Sequence, residues 1–155
     1  MPDFHQNGVI STLHNLSCRS LDELERELRE YSKEAPIELI LPSLYSELHG
    51  NALENIVNCL SEVKYLNHIT IGLDRANRSE FIKAKKFFSS LNQSHSVIWN
   101  NSPKMQKLDN DFKKLGIAPN QPGKGKNVWY CIGYAIARNS AEAVAFHDCD
   151  IKTYD

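Results

Sequence analysis

The residues best suited to chemistry lie near the end of the chain, where an apolar run changes abruptly into Asp148-Cys149-Asp150. The apolar run, residues 143–146, has the length and composition of a buried β-strand. Because residues two apart in an extended chain point to the same side, the carboxylates of Asp148 and Asp150 can face one ligand. Such oxygens suit Mg²⁺ or Mn²⁺, in particular an ion that already carries a diphosphate.

Turn chemistry is the alternative explanation of this pair, because Asp is common where strands end. The Asp-x-Asp pattern favours neither explanation by itself, and residues elsewhere in the chain must decide. His147 comes one residue before the pair and is expected on the opposite face of the strand. We interpret it as a packed histidine and not as a metal ligand.

A second candidate is the segment Gln-Pro-Gly-Lys-Gly-Lys-Asn at residues 121–127, directly before a helix predicted over residues 128–138. Paired glycines let the backbone approach a ligand, and the following helix supplies a positive amino end. Lys124 and Lys126 add charges suited to phosphate. The spacing is neither that of a P-loop nor that of a dinucleotide fingerprint, and a flexible loop with solvated lysines is the alternative.

The helix after this segment is nearly all apolar, which predicts that it is buried against a sheet. Its apolar residues include Ile136, and Gly133 is expected to allow close packing there.

The elements that must position these residues alternate between strands and helices. Strands are predicted over residues 37–41, 69–73, 97–99 and 143–146, and helices over residues 20–35, 51–64, 79–91, 103–115 and 128–138. Pro42 is expected to end the first strand because it lacks an N–H group. The alternation predicts an α/β fold, Rossmann-like, with a mostly parallel sheet and helices on both faces.

In such a sheet the carboxyl ends of the strands share one edge. Residues 42–47, Asp74 and residues 148–150 each follow a predicted strand, so we expect them to gather at that edge. This convergence favours a nucleotide site over isolated turns.

Composition excludes several other classes of protein. The chain has 155 residues and a net charge of −1, so no overall field attracts nucleic acid or an anionic membrane. No apolar run approaches the roughly 20 residues of a membrane span, and residues 1–7 do not resemble a signal peptide. The four cysteines are scattered, which predicts free thiols and a cytoplasmic location.

The chain contains, in this order, residues 41–47, residues 123–125 before an apolar helix, and residues 145–151. Together these three stretches resemble the nucleotide-sugar glycosyltransferases of the GT-A fold, and among these the glucosyl-3-phosphoglycerate synthases. The resemblance covers the chain from about residue 37 to residue 155. It predicts that residues 1–36 are an amino-terminal arm with an amphipathic helix and that residues 37–155 are the nucleotide-sugar-binding domain, incomplete at its carboxyl end.

The resemblance also implies a role for particular residues. Asp74 and Lys124 would lie beside the nucleotide, Asp148 would help to hold the ribose or the metal, and Asp150 would ligate the divalent ion. The ion, Mg²⁺ or Mn²⁺, would stabilise the departing nucleoside diphosphate. Four residues would line the uridine pocket: Pro42, Ser43, Leu44 and Glu47.

The chain departs from the family in two ways. Tyr45-Ser46-Glu47 stands where the family often has Asn-Glu-Glu, which leaves one carboxylate fewer and the role of Glu47 open. The chain also ends five residues after Asp150, so the acceptor-binding half and its metal-ligating His are expected beyond it, and no catalytic residue is assigned. We therefore expect the chain alone to be inactive and to self-associate as a homo-oligomer through uncovered apolar surface.

These observations predict a metal-dependent, retaining glycosyltransferase, or its donor-binding part, that transfers glucose from UDP-glucose to 3-phosphoglycerate. The alternative is a nucleotide-binding module without catalytic activity. A sugar nucleotidyltransferase is less favoured, because that class holds its triphosphate with a Gly-rich loop after the first strand and residues 42–47 contain no Gly.

Overall fold

A computed structural model describes residues 19–154 of the chain, and these residues form a parallel sheet with helices on both faces. The strands are β1 (Ile37–Leu44), β2 (Leu66–Asp74), β3 (His95–Trp99) and β4 (Ala143–Phe146). The helices are α1 (Leu21–Glu34), α2 (Asn51–Glu62), α3 (Arg78–Phe88), α4 (Pro103–Lys114) and α5 (Lys124–Arg138), and a short 3-10 turn covers Tyr45–His49. The sheet order is β3-β2-β1-β4, which confirms the predicted fold class.

Side chains at the helix starts explain several of these boundaries. The hydroxyl of Ser20 accepts a hydrogen bond from the Glu23 amide at the start of α1, and the hydroxyl of Ser102 accepts one from the Met105 amide at the start of α4. At α3, Asn77 and Glu80 exchange side-chain and backbone hydrogen bonds as a capping box. The predicted starts of α1 and α4 are confirmed, and α3 is shorter than predicted.

The hydrophobic core lies between one face of the sheet and helices α2 and α3. It is formed by alternate strand residues, since these point to the same side of the sheet. The buried residues at this interface are Leu39, Leu41, Ile69, Ile71 and Leu73 from the strands, and Leu53, Ile56, Val57, Leu60, Ala84 and Phe88 from the helices.

Helix α5 packs on the other face of the sheet, and Gly72 is the position that allows its close approach. A Cβ atom at Gly72 would lie 1.9 Å from Oδ1 of Asn127 and 2.5 Å from Sγ of Cys131. The predicted close packing at Gly133 was wrong, because a Cβ there would meet no atom within 4 Å. Ile136 was also misplaced by the prediction: it is 72% exposed, because only one side of α5 faces the sheet.

The prediction that Pro42 ends the first strand was wrong. β1 continues to Leu44, and Pro42 pairs in register with Gly72 of β2. The Ile40 carbonyl accepts a hydrogen bond from His147, so Ile40 faces β4, and Pro42 faces the same way two residues later. β4 ends before it reaches the level of Pro42. Proline is therefore tolerated there, because no neighbouring strand would accept a hydrogen bond from an N–H group at this position.

Strand β4 has the predicted bounds but not the predicted burial. Among residues 19–154 it pairs only with β1, and Val144 and Phe146 are 40% and 47% exposed. An apolar run of this length suits a strand that is covered on both sides, whereas β4 forms an edge of the sheet in the described part of the chain.

The division of the chain at residues 36 and 37 stays a prediction, and the predicted lead-in at residues 4–18 lies outside the described residues. Among residues 19–154, no helix is both long and apolar enough to cross a membrane.

Candidate nucleotide site

The topology places a crevice at the carboxyl ends of β1 and β4. From β1 the chain runs to β2 and β3 on one side, and then returns through α4 and α5 to form β4 on the other side of β1. The segment after β1 therefore leads to one side of the sheet, and β4 lies on the other side of β1. The strand order thus reverses between β1 and β4. Ligands of open α/β sheets bind at this kind of position.

A cavity of about 180 Å³ lies at this point. All of the residues that the sequence analysis assigned to the site lie along its wall: Pro42, Ser43, Leu44, Glu47, Asp74, Lys124, Asp148 and Asp150. They come from four separate segments of the chain, so the expected convergence of strand ends is present in the fold. The roles assigned to the individual residues remain predictions.

Asp148 and Asp150 lie on the cavity wall with Cys149 between them. Both carboxylates are exposed and Cys149 is 3% exposed, so the three side chains alternate between solvent and the core. The sequence analysis expected Asp148 and Asp150 to share one side because the chain would be an extended strand there. The structure differs, because β4 ends at Phe146 and Cys149-Asp150 form a turn. Burial raises the pKa of the Cys149 thiol to about 12, helped by the nearby Glu47 carboxylate. Cys149 is therefore a protonated residue of the hydrophobic core in this structure.

The two aspartates differ in their partners. The ammonium group of Lys124 contacts Oδ1 of Asp148, and both side chains are about half exposed. Within residues 19–154 the Asp150 carboxylate makes neither a hydrogen bond nor an ion pair. In the described part of the chain, the carboxylate of Asp150 is therefore free to meet a ligand at the wall of the cavity, whereas that of Asp148 is paired with Lys124.

The amino end of α5 forms the opposite wall. α5 begins at Lys124, four residues earlier than predicted, because Gly123 with φ = 132° ends the preceding loop and its carbonyl accepts the Asn127 amide at 3.1 Å. Lys124, Gly125 and Lys126 therefore lie in the first helical turn, whose amides are not used by the helix itself. The positive end of the helix therefore lies at the cavity, where Lys124 contacts Asp148.

The end of β1 is fixed by Glu47 and Ser43. Oε2 of Glu47 accepts a hydrogen bond from the Leu44 amide at 2.8 Å, which closes the 3-10 turn. Ser43 is 1% exposed, and its hydroxyl donates to the Leu44 carbonyl at 3.1 Å. Glu47 thus has a structural role in shaping the wall, which sequence reasoning left open.

Four other residues line the cavity: Arg75, Gly123, Asn127 and Cys149. Gly123 and Asn127 belong to the candidate segment at residues 121–127 but were given no role of their own, and Arg75 was missed. Arg75 has a left-handed backbone with φ = 53°, and its amide donates to the Asp74 carboxylate at 2.9 Å. Asn127 donates from Nδ2 to the Gly72 carbonyl at 2.7 Å, which fixes α5 against β2. The position of Arg75 directly after a strand end was a usable signal, whereas the Asn127 contact depends on tertiary packing.

His147 does not line this cavity, in agreement with its interpretation as a packed histidine. Its Nδ1 lies 2.6 Å from the Tyr154 hydroxyl, and the two rings are 5.2 Å apart. Burial lowers the pKa of His147 and outweighs the opposite effect of Asp148.

The known proteins to which the chain is similar belong to the same group that the sequence motifs resemble. The chain is 46% identical over 154 residues to a glucosyl-3-phosphoglycerate synthase from Persephonella marina, and 33% identical over 153 residues to one from Methanococcoides burtonii. These alignments cover 99% and 98% of the chain. Over nearly its whole length the chain is therefore similar to part of the glucosyl-3-phosphoglycerate synthases. No family model matches it.

The chain spans 38% and 37% of the length of these two synthases. Among solved structures, it is similar to a crystal structure of the glucosyl-3-phosphoglycerate synthase from Mycobacterium tuberculosis in complex with Mn²⁺, UDP and glucosyl-3-phosphoglycerate. That similarity has a TM-score of 0.48 at 17% identity and covers 95% of this chain and 40% of the other.

Proposed function

We propose that this chain is the donor-binding part of a metal-dependent, retaining glycosyltransferase with a GT-A fold, which transfers glucose from UDP-glucose to 3-phosphoglycerate. The observation that carries the proposal is the single cavity lined by all eight predicted site residues. The relationship to synthases of this activity supports the same donor and acceptor.

The residues present fit a divalent cation that arrives with a diphosphate. Among the described residues, no cluster of three or more His, Cys, Asp or Glu side chains could hold a metal alone. Mg²⁺ and ions like it are commonly held by one or two carboxylates together with phosphate oxygens, which is what Asp150 and Asp148 can offer. When bound, the ion would act as a Lewis acid on the leaving diphosphate.

The other residues of the cavity bind and orient the donor. Pro42, Ser43 and Leu44 form the wall against which the uridine lies, and Glu47 holds that wall in shape through its bond to the Leu44 amide. Asp74 lies at the end of β2 beside the nucleotide. Lys124 and the first-turn amides of α5 face the negative charge of the diphosphate.

The cavity supplies the donor site and no group is assigned as nucleophile. Transfer requires that donor and acceptor are held in attack geometry and shielded from water. The cavity is open at Asp148 and Asp150, which are both exposed. We therefore propose that residues 1–155 alone bind UDP without transferring glucose, and that the exposed Val144 and Phe146 favour self-association.

A cytoplasmic location is part of this proposal. Cys59, Cys131 and Cys149 are free thiols in the described part of the chain, which is usual for a protein of a reducing compartment.

Calorimetric titration with UDP and Mn²⁺, followed by a turnover assay with UDP-glucose and 3-phosphoglycerate, tests the proposal. Binding without turnover is expected for residues 1–155, and turnover is expected when the same residues are part of a chain as long as the synthases. Failure to bind UDP would rule out the donor-site assignment. Binding in the long protein without turnover would favour a nucleotide-binding module.

A further inference from the structure

The two lysines in the first turn of α5 have different surroundings. Lys126 is 19% exposed, and its ammonium group lies 2.5 Å from Oδ1 of Asp109 on α4. Lys124, two residues earlier, is 58% exposed and contacts Asp148 at the cavity. The sequence segment Gly-Lys-Gly-Lys presents the two lysines as equivalent, whereas the fold places only Lys124 on the wall of the nucleotide cavity.

The carboxylate of Asp109 forms ion pairs and a hydrogen bond with three neighbouring side chains. Besides Lys126, its carboxylate receives the Lys113 ammonium at 2.8 Å and a hydrogen bond from the Tyr130 hydroxyl, and it is 15% exposed. Burial by itself would raise the pKa of Asp109, but hydrogen bonds from Lys113, Lys126 and Tyr130 outweigh this effect and hold the pKa well below its ordinary value. The Asp109 carboxylate therefore stays ionised, and its contacts join α4 to α5.

The first turn of α5 needs such an anchor because Lys124 stands between two glycines. A Cβ atom at Gly123 or at Gly125 would meet nothing within 4 Å, so neither position is held by side-chain packing. Glycine adds backbone freedom on both sides of Lys124. Lys126, which contacts Asp109, is the side chain of α5 nearest to Lys124 that is tied to another helix in the described part of the chain. The following residue, Asn127, is tied to β2, and Trp129 and Tyr130 contact α4 one turn later.

We propose that Asp109 is a positioning residue for the donor site, one that fixes Lys126 and thereby holds Lys124 at the nucleotide cavity. The inference rests on the proposed function, since it assumes that the cavity takes a nucleoside diphosphate. It assigns Lys126 to the helix contact and leaves Lys124 as the lysine that meets the ligand.

The test compares Asp109→Asn with Asp111→Asn in the full chain. Asp111 is on the same helix, is half exposed and forms an ion pair with Lys114, so its substitution is a matched control. UDP affinity measured with Mn²⁺ should fall about three- to tenfold in Asp109→Asn and stay unchanged in Asp111→Asn. Asp109→Glu, which retains the charge, should recover part of the loss.

Two further measurements separate positioning from a general loss of structure. Amide hydrogen exchange should become faster at residues 123–127 in Asp109→Asn and should stay unchanged in the core strands β1 and β2. In a Lys124→Ala background, Asp109→Asn should weaken UDP binding much less than it does in the parent chain, because both changes act on the same contact.

The outcomes distinguish this inference from the function on which it rests. If the parent chain binds UDP and Asp109→Asn binds it equally well, the inference is wrong and the donor site stands. Equal losses with and without Lys124, or faster exchange throughout the sheet, would show a purely structural role and also overturn it. If the parent chain binds no UDP, the proposed function fails and the inference fails with it.

Discussion

The side chains of Lys124 and Asp148 form an ion pair at the cavity beside the carboxyl ends of β1 and β4, although the two residues are 24 positions apart in the chain. Lys124 lies in the first turn of α5 and Asp148 in the connection after β4, so the pair joins two separate walls of the cavity. Both residues are about half exposed, and an exposed pair of this kind contributes little to stability. A bound diphosphate and its cation can therefore replace the contact at low cost.

Lys124→Ala should weaken UDP binding by about 1–2 kcal/mol, the range of one charge-assisted hydrogen bond. Isothermal titration in the presence of Mn²⁺ measures the change. Lys83→Ala is a suitable control, because Lys83 is an exposed lysine of α3 that does not line the cavity. Similar losses in the two variants would indicate a general electrostatic effect and no specific contact from Lys124.

Gly72→Ala should destabilise the chain by about 1–3 kcal/mol, because the added methyl group would overlap Asn127 and Cys131 of the packed helix α5. The free energy of unfolding in urea measures this effect. Gly133→Ala provides the opposite case: Gly133 is exposed in the same helix, and its Cβ would meet nothing within 4 Å. That substitution should stabilise the chain by roughly 0.5–1 kcal/mol. A neutral result for Gly72→Ala would contradict the close approach of α5 to β2.

The buried His68 predicts a pH dependence of stability. Burial, with smaller effects of Arg138 and His95, lowers the pKa of His68 from 6.5 to about 4. Between these values the unfolded chain binds a proton at this position and the folded chain does not. The stability from His68 is therefore present above pH 6.5 and decreases as the pH falls toward 4, by on the order of 3 kcal/mol in total.

Urea unfolding of the parent chain and of His68→Gln at several pH values tests this dependence. The variant loses the hydrogen bonds of His68 to Ser94 and Ser96, so its stability is lower at neutral pH, but its stability should change less between pH 6.5 and pH 4. Because other groups titrate in the same range, the difference between the two proteins is the quantity of interest. His49→Gln, at an exposed position in the 3-10 turn, is the control. An identical pH dependence in parent and His68→Gln would contradict the assignment.

Local sequence signals predicted most of the fold. The capping hydroxyls of Ser20 and Ser102 and the apolar spacing in α2 predicted helices that are present, and the alternation of strands and helices predicted the parallel sheet. These features could be predicted because they depend on residues a few positions apart.

The errors have a common cause, since each depends on what a residue meets across the fold. Pro42 continues β1 because β4 ends before reaching its level, and Gly72, not Gly133, is the glycine at the helix contact. The difference between Lys124 and Lys126 likewise depends on Asp109, which is separated from them by the loop between α4 and α5. Spacing along the chain contains no information about such long-range neighbours.

The central claim is that Asp150, with Asp148, holds a divalent cation on the diphosphate of a nucleotide in the cavity at the ends of β1 and β4. The most direct test is the affinity for UDP, measured by titration calorimetry with and without Mn²⁺, in the parent chain and in Asp150→Asn. This substitution keeps the size of the side chain and removes the charge of a group that has no hydrogen bond or ion pair within residues 19–154. We predict that Mn²⁺ strengthens UDP binding to the parent chain and has little effect on Asp150→Asn, while both proteins keep the same unfolding midpoint. Equal enhancement by Mn²⁺ in the two proteins would contradict the claim and would leave Asp148-Cys149-Asp150 as a turn.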